Sequence, residues 1–200
     1  MIRLLTLLFL MAPISAYGNG IPELFQESYA LEANYQYDQA LMRIERVSAD
    51  GELAYVVPLR KGWLLYLLGR YADSVDAYNE ALAAKSAVEA HLGLSLPLMA
   101  LRRWSEAEAT CRKVLDEAPG NYLALSRLSY VLYSAGRYAE AEAAYQMVVQ
   151  QYPADMEMQG GLGWSQLKQG KADQAKKTFE WVLKTSPDYS SAAEGLEATK

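Results

Sequence analysis

Residues Tyr122–Asp155, YLALSRLSYVLYSAGRYAEAEAAYQMVVQQYPAD, decide the fold of this chain. Small and apolar side chains recur at three- and four-residue spacings on both sides of Gly136, which predicts two amphipathic helices joined by a tight turn. Gly136 favours the left-handed conformation that ends a helix, and Pro153 stops the second helix. The stretch therefore predicts one helical hairpin.

The hairpin pattern occurs five times along the chain. Equivalent segments begin near Ile21, Tyr55, Val88, Tyr122 and Met156, at steps of 34, 33, 34 and 34 residues. A constant period of this length is typical of stacked helix-turn-helix units. We expect a single domain over residues 19–200, with repeats near 21–54, 55–87, 88–121, 122–155 and 156–189 and a cap at 190–200.

Equivalent places in the five units carry similar side chains. A small residue recurs midway through each first helix, at Ser28, Gly62, Ser95, Ser129 and Gly163. A predicted core position recurs in each second helix, at Ile44, Tyr78, Cys111, Tyr145 and Phe179. First helices are predicted to end at Gly69, Gly136 and Gly170. Residues placed to cap the following helices are Asn121, Asp155 and Asp188.

These columns resemble the tetratricopeptide repeat (TPR) family, whose motif combines a small residue, Tyr or Leu, a glycine turn, Ala, Tyr or Phe, Ala and Pro. The resemblance covers about residues 21 to 187. It implies an all-α fold, a right-handed α-solenoid of about five helix-turn-helix repeats plus a C-terminal capping helix. The first unit departs most from the motif, because Glu27, Tyr35 and Glu52 replace the expected leucine, glycine and proline.

Residues 1–18 match the three-part layout of a secretory signal peptide. Arg3 supplies the positive start, Leu4 to Ala12 form a compact apolar run, and small residues follow. Cleavage is expected after Ala16 or after Gly18. The apolar run is short for a permanent membrane span, and an uncleaved anchor is the alternative. We therefore expect an exported bacterial TPR protein, periplasmic or secreted, with no stable membrane insertion after signal cleavage.

Composition and motifs argue against several other functions. The formal net charge is -5 and no Lys/Arg cluster is present, which argues against nucleic acid as a partner. No Cys/His metal spacing and no glycine-rich phosphate loop occur, so we expect no metal and no cofactor. His91 is the only histidine, and Cys111, the only cysteine, fills a predicted core position. We expect a protein that is not an enzyme.

The resemblance also implies where a partner binds. In TPR arrays the first helices line a concave groove, and the place after the small residue points into it. That place holds Tyr29, Trp63, Leu96, Tyr130 and Trp164. Adjacent rows at helical spacing add Phe25, Leu59, Tyr66, Met99, Tyr133 and Leu167. Arg60 and Arg127 are the groove-side cations placed to meet an acidic group of a ligand.

An exposed aromatic strip of this kind indicates a binding surface, although the same rings would alternatively serve as extra core. The sequence predicts a non-catalytic protein–protein interaction scaffold of the bacterial envelope, which binds a partner peptide or protein in the groove during assembly or secretion. The alternative is a carbohydrate-binding accessory of exopolysaccharide export, because aromatic rings stack on sugar faces. The Leu and Met residues of these rows favour a peptide over a polysaccharide.

Overall fold

The computed structural model describes residues 20–200, and these residues form eleven α-helices and no β-strand. The predicted signal peptide, residues 1–18, lies outside the described residues. The helices are α1 (Ile21–Ala33), α2 (Tyr37–Ile44), α3 (Val56–Leu67), α4 (Tyr71–Ala84), α5 (Val88–Ala100), α6 (Trp104–Glu117), α7 (Tyr122–Ser134), α8 (Tyr138–Gln151), α9 (Met156–Lys168), α10 (Ala172–Thr185) and α11 (Ser190–Glu197).

Successive helices pair as hairpins, and each hairpin stacks on the next. Every helix packs against its neighbour in the chain. The first helices of successive hairpins also contact one another, α3 with α5, α5 with α7 and α7 with α9, and α9 contacts α11. This arrangement confirms the predicted all-α solenoid. Helix α11 packs against both α9 and α10 and covers the last hairpin, as the predicted capping helix should.

The turn within each hairpin requires one residue in the left-handed conformation. Gly69, Gly136 and Gly170 occupy it with φ of 73°, 78° and 77°, which confirms the sequence prediction. In the first and third hairpins Tyr35 and Arg102 adopt the same conformation, with φ of 60° and 56°. A residue with a Cβ pays about 1–2 kcal/mol for this backbone geometry. The packing of the two helices therefore imposes the turn even where glycine is missing.

Two of the three predicted helix caps are confirmed. Asn121 accepts a hydrogen bond from the Ala124 amide at 3.0 Å, and Asp155 accepts one from the Met158 amide at 3.1 Å. The prediction for Asp188 is wrong. Helix α11 begins at Ser190, so Tyr189 precedes it and no side chain caps it.

The first hairpin is the most irregular. Its second helix, α2, spans only Tyr37–Ile44, and a short 3₁₀ turn at Gly51–Leu53 leads into α3. Glu27, which replaces the leucine of the motif, accepts a hydrogen bond from Arg43 Nε at 2.7 Å. An ion pair between α1 and α2 thus stands at the place where the last three hairpins carry a buried leucine, Leu94, Leu128 or Leu162.

The core is built around side chains of the second helices. All five residues of the predicted core column are buried: Ile44, Tyr78, Cys111, Tyr145 and Phe179. The Tyr78 ring lies between Gly62 of its own first helix and Gly93 of the next one. A Cβ built on Gly93 would lie 2.3 Å from a carbon of the Tyr78 ring, and one on Gly62 would lie 2.9 Å away. The ring thus occupies the volume that side chains at these positions would need.

The same packing recurs in the last two hairpins. A Cβ on Gly161 of α9 would lie 2.4 Å from the Tyr145 ring. The Phe179 ring lies between Gly163 of α9 and Gly195 of α11, with corresponding distances of 2.6 and 2.3 Å. Direct contact between an aromatic ring and helix backbone therefore sets the distance between successive first helices at three of the stacking steps.

Gly93→Ala should destabilise the protein by about 1–3 kcal/mol, because the added methyl group has no free volume beside Tyr78. Gly120→Ala is a matched control, since its added Cβ would meet nothing closer than 3.8 Å. Urea titration followed by circular dichroism measures both changes. Equal midpoints for the two variants would show that the ring does not set the helix spacing.

Candidate functional site

Two of the cavities in the described part of the chain lie on the face formed by α1, α3, α5, α7 and α9, which we call the groove. The N-terminal cavity has a volume of about 330 Å³ and lies between α1, α3 and α5. Its lining is largely apolar and includes Leu59, Trp63 and Leu96. Tyr29 of α1 and Arg127 of α7 bound it on opposite sides along the stack. A cavity of this composition accepts an apolar side chain better than a polar one.

The C-terminal cavity is larger, at about 530 Å³, and lies between α5, α7 and α9, with α11 at its end. Met99, Tyr130 and Trp164 line it together with the backbone of Gly160 and Gly161. Arg127 lines this cavity as well as the N-terminal one. Its guanidinium-bearing side chain therefore stands at the boundary between the two.

The predicted binding residues fall into three groups. Those that line the N-terminal cavity are Tyr29, Leu59, Arg60, Trp63, Leu96 and Arg127. Those that line the C-terminal cavity are Met99, Arg127, Tyr130 and Trp164. Those that line neither of the two cavities are Phe25, Tyr66, Tyr133 and Leu167.

The residues of the third group pack against other parts of the fold. Tyr66 stacks on Trp63 at a centroid distance of 5.8 Å, and Tyr133 meets Tyr138 edge to face at 5.4 Å. Phe25 packs against the core of the first two hairpins, and Leu167 against that of the last. For these four side chains the structure favours the alternative of extra core.

Two rings of the groove are free enough to contact a partner. Tyr29 is 54% exposed and Tyr130 is 49% exposed. The Arg60 guanidinium lies 4.1 Å from the centroid of the Tyr29 ring and holds one face of it by a cation–π contact. Tyr130 meets Trp104 edge to face at 6.3 Å. Each ring is thus oriented on one side and open on the other.

The two tryptophans of the groove are held more firmly. Trp63 donates from Nε1 to Glu32 at 2.6 Å, and Trp164 donates from Nε1 to Ser191 of α11 at 2.9 Å. Trp164 also packs edge to face on Phe179 at 5.5 Å. These rings form the walls of the cavities and connect neighbouring helices at the same time.

Arg60 is almost completely buried, with 6% of its surface exposed, and its charge is neutralised within the protein. Its Nε and Nη2 atoms donate to Ser28 Oγ at 3.2 and 3.1 Å, and Nη1 forms an ion pair with Glu32. The prediction that Arg60 is free to meet an acidic group of a ligand is therefore wrong. Glu32 of the preceding first helix already supplies the carboxylate.

Arg127 stands at the equivalent place two units later, two residues before the small residue of its helix. Its Nη1 atom donates to the Leu92 carbonyl at 2.6 Å and to Ser95 Oγ at 2.9 Å. Met99 occupies the place that Glu32 has beside Arg60. Within residues 20–200 no carboxylate pairs with Arg127, and burial lowers the pKa of its guanidinium.

The chain offers little for catalysis in its described part. Burial raises the pKa of the Cys111 thiol to about 11, so the thiol is protonated and weakly nucleophilic at neutral pH. His91 is buried, its Nε2 lies 3.2 Å from Ser86 Oγ, and burial lowers its pKa. Over residues 20–200 no group of three or more potential metal ligands occurs, and no helix has the length and apolarity to cross a bilayer.

Several cavity residues escaped the sequence analysis. Tyr78 and Gly93 line the N-terminal cavity, and Tyr145, Gly161 and Tyr189 line the C-terminal one. A sequence signal for these residues does exist. Whenever the core residue of a second helix is aromatic, the next helix carries a glycine two residues before the place of its small residue. Where the core residue is smaller, as at Ile44 and Cys111, arginine replaces that glycine.

Sequence comparison identifies two matching family models, each described as a tetratricopeptide repeat. One matches residues 98–160 and 132–199, and the other matches residues 25–89 and 59–122. Together these matches extend over residues 25–199. No match to the chain was found among curated proteins.

Solved structures share the fold at low sequence identity. A tetratricopeptide repeat protein from Parabacteroides merdae superposes with a TM-score of 0.81 at 16% identity, over 89% of this chain and 71% of that one. YrrB, a TPR protein with an unusual peptide-binding site, gives 0.77 at 16% identity over 90% and 92% of the two chains. MamA from Desulfovibrio magneticus gives 0.78 at 16% identity over 83% and 94%. At these identities the likeness shows the fold alone.

Glu32→Gln should lower the free energy of unfolding by about 1.5–3 kcal/mol, because it removes the charge that neutralises buried Arg60. Glu180→Gln is the matched control, since the Lys176–Glu180 pair is exposed and its loss should cost less than about 1 kcal/mol. Chemical denaturation of both variants measures the difference. Equal stability would mean that the Arg60 network does not support the groove.

Proposed function

This chain belongs to the tetratricopeptide repeat family, and we propose that it is a non-catalytic scaffold that binds a peptide segment of a partner protein in the groove. The observation that carries the proposal is the pair of largely apolar cavities on the face of the first helices, each with a half-exposed tyrosine at its side. Burial of apolar side chains in these cavities would supply binding free energy at roughly 25 cal/mol per Å². Ordering of the peptide offsets part of it.

The composition of the cavities favours a peptide over a polysaccharide. Leu59 and Leu96 line the N-terminal cavity, and Met99 lines the C-terminal one. These side chains have no polar atoms with which to bind sugar hydroxyls. Apolar pockets separated by a few polar groups suit alternating side chains of a peptide. YrrB, which has the same fold, is itself a TPR protein with an unusual peptide-binding site.

We further propose that the scaffold acts in the bacterial envelope during assembly or secretion. This part of the proposal is supported by residues 1–18, whose basic start, apolar run and small-residue exit have the layout of a signal peptide. The net charge of -5 and the single cysteine are compatible with an exported protein that does not depend on disulfides.

Export can be tested with a C-terminally tagged full chain in a bacterial host. We expect the protein in the periplasmic fraction, with a mature N-terminus at Tyr17 or Asn19, because cleavage should follow Ala16 or Gly18. Osmotic-shock fractionation and N-terminal sequencing give the answer. An intact N-terminus in the membrane fraction would instead indicate an uncleaved anchor, and cytoplasmic retention would refute export.

Groove binding can be tested by selecting a random displayed peptide library on the protein and measuring the affinities of the selected peptides. The double variant Tyr29→Ala/Tyr130→Ala should lose about tenfold or more in affinity, as is usual for aromatic anchors of an interface. Its melting temperature should change little, because both rings are about half exposed.

Trp181→Ala is the control for these affinity measurements. Trp181 is an exposed aromatic residue on α10, the second helix of the last hairpin, and lines neither cavity. It should leave the affinities unchanged. Peptide affinities that are unchanged in the Tyr29→Ala/Tyr130→Ala variant would refute the groove as the binding site. Hits on a glycan array in the absence of peptide binders would favour the carbohydrate-binding alternative.

A further inference from the structure

Arg127 is the one feature of the groove whose chemistry is left incomplete by the described part of the chain. We propose that it binds an aspartate or glutamate side chain of the peptide, placed between two apolar stretches of that peptide. This inference rests on the proposed function and names the ligand chemistry of the same site. It is supported by a comparison of Arg127 with Arg60, the arginine at the equivalent position two repeats earlier.

Arg60 and Arg127 occupy equivalent positions in their repeats and make similar contacts. Both arginines follow a second helix whose core residue is not aromatic, Ile44 before Arg60 and Cys111 before Arg127. Both reach the serine of the preceding first helix, Ser28 in one case and Ser95 in the other. The structural role of the two side chains in filling the stack is therefore the same.

The two arginines differ in their counter-ion. Glu32 stands four residues after Ser28 and pairs with Arg60, whereas Met99 stands four residues after Ser95 and leaves Arg127 without a carboxylate. Glu89 lines the N-terminal cavity and Glu157 the C-terminal one, but neither forms an ion pair with Arg127. A partly buried cation that has no ion-pair partner gains more from an incoming carboxylate than an exposed one does.

Arg127 also keeps free donors for such a ligand. Among residues 20–200 only its Nη1 atom finds acceptors, the Leu92 carbonyl and Ser95 Oγ. The Nε and Nη2 atoms have no hydrogen-bond partner there, and they are not among the completely buried unpaired atoms. A guanidinium edge with two unpaired donors matches the two oxygens of a carboxylate. The existing bonds from Nη1 hold the group in place, which lowers the ordering cost of binding.

The position of Arg127 selects an internal side chain over a C-terminal carboxylate. Arg127 lines the N-terminal cavity and the C-terminal cavity together. A peptide that fills both must therefore continue on either side of the group bound to Arg127. The expected ligand is a segment with one acidic residue flanked by apolar or aromatic residues in both directions.

The test uses acetylated, amidated peptides selected on the wild-type protein from a random displayed library. Replacing the shared acidic residue of a selected peptide by its amide should weaken binding to the wild-type protein by about tenfold. The same replacement should have no effect on binding to the Arg127→Gln variant, so the two changes form a double-mutant cycle. Circular dichroism of the variant checks that it is folded.

Met99→Glu provides a second measurement that keeps Arg127 in place. It restores within the protein the counter-ion that Glu32 supplies to Arg60, so it should weaken binding of the acidic peptide by about tenfold. Met99→Gln is the matched control, because it has the same size without the charge, and it should retain most of the affinity.

The outcomes separate this inference from the proposed function. Two results would overturn the inference and leave groove binding intact. In the first, the selected peptides depend on Tyr29 and Tyr130 but share no acidic residue. In the second, replacing the acidic residue by its amide costs as much affinity on Arg127→Gln as on the wild-type protein. Strong preference for free over amidated C-termini would also overturn it, since the carboxylate would then be terminal. A library that yields no binder would refute the proposed function and the inference together.

Discussion

Contact between an aromatic ring and a glycine of the next helix is the constraint on which this fold depends. Tyr78, Tyr145 and Phe179 rest against Gly93, Gly161 and Gly195, at distances that leave no room for a Cβ. Because interiors are close-packed, a ring wedged between two helices fixes their separation and their relative rotation. The first helices are thereby held in a row, and the groove with its two cavities is the consequence of that spacing.

The same stacking rule explains the charges of the groove. Where the second helix offers Ile44 or Cys111 in place of a ring, the following helix carries Arg60 or Arg127 in place of glycine. A long side chain then fills the volume that the ring fills elsewhere, and its guanidinium reaches the preceding serine. Core packing and ligand chemistry are therefore coupled, since the residue that completes the stack also places a cation in the groove.

The outcome for the predicted site residues follows from how far each side chain lies from the hairpin turn. Side chains just after the small residue, such as Tyr29 and Tyr130, lie in the middle of a first helix and remain about half exposed in the groove. Tyr66 and Tyr133 lie three residues closer to the turn, where the start of the second helix offers a ring to pack on, Tyr71 or Tyr138. Helical spacing alone assigns both rows to the same face and does not distinguish them.

By itself the sequence determined what is local and periodic: five hairpins, the glycine turns, the buried column of the second helices and the aromatic row of the first ones. These features follow from residue spacing within one repeat, because a helix of 3.6 residues per turn converts spacing directly into a face. Only the tertiary structure decided which arginine has a counter-ion. Arg60 and Glu32 are 28 residues apart on different first helices, and their pairing exists only because the first two hairpins stack on each other around Ile44.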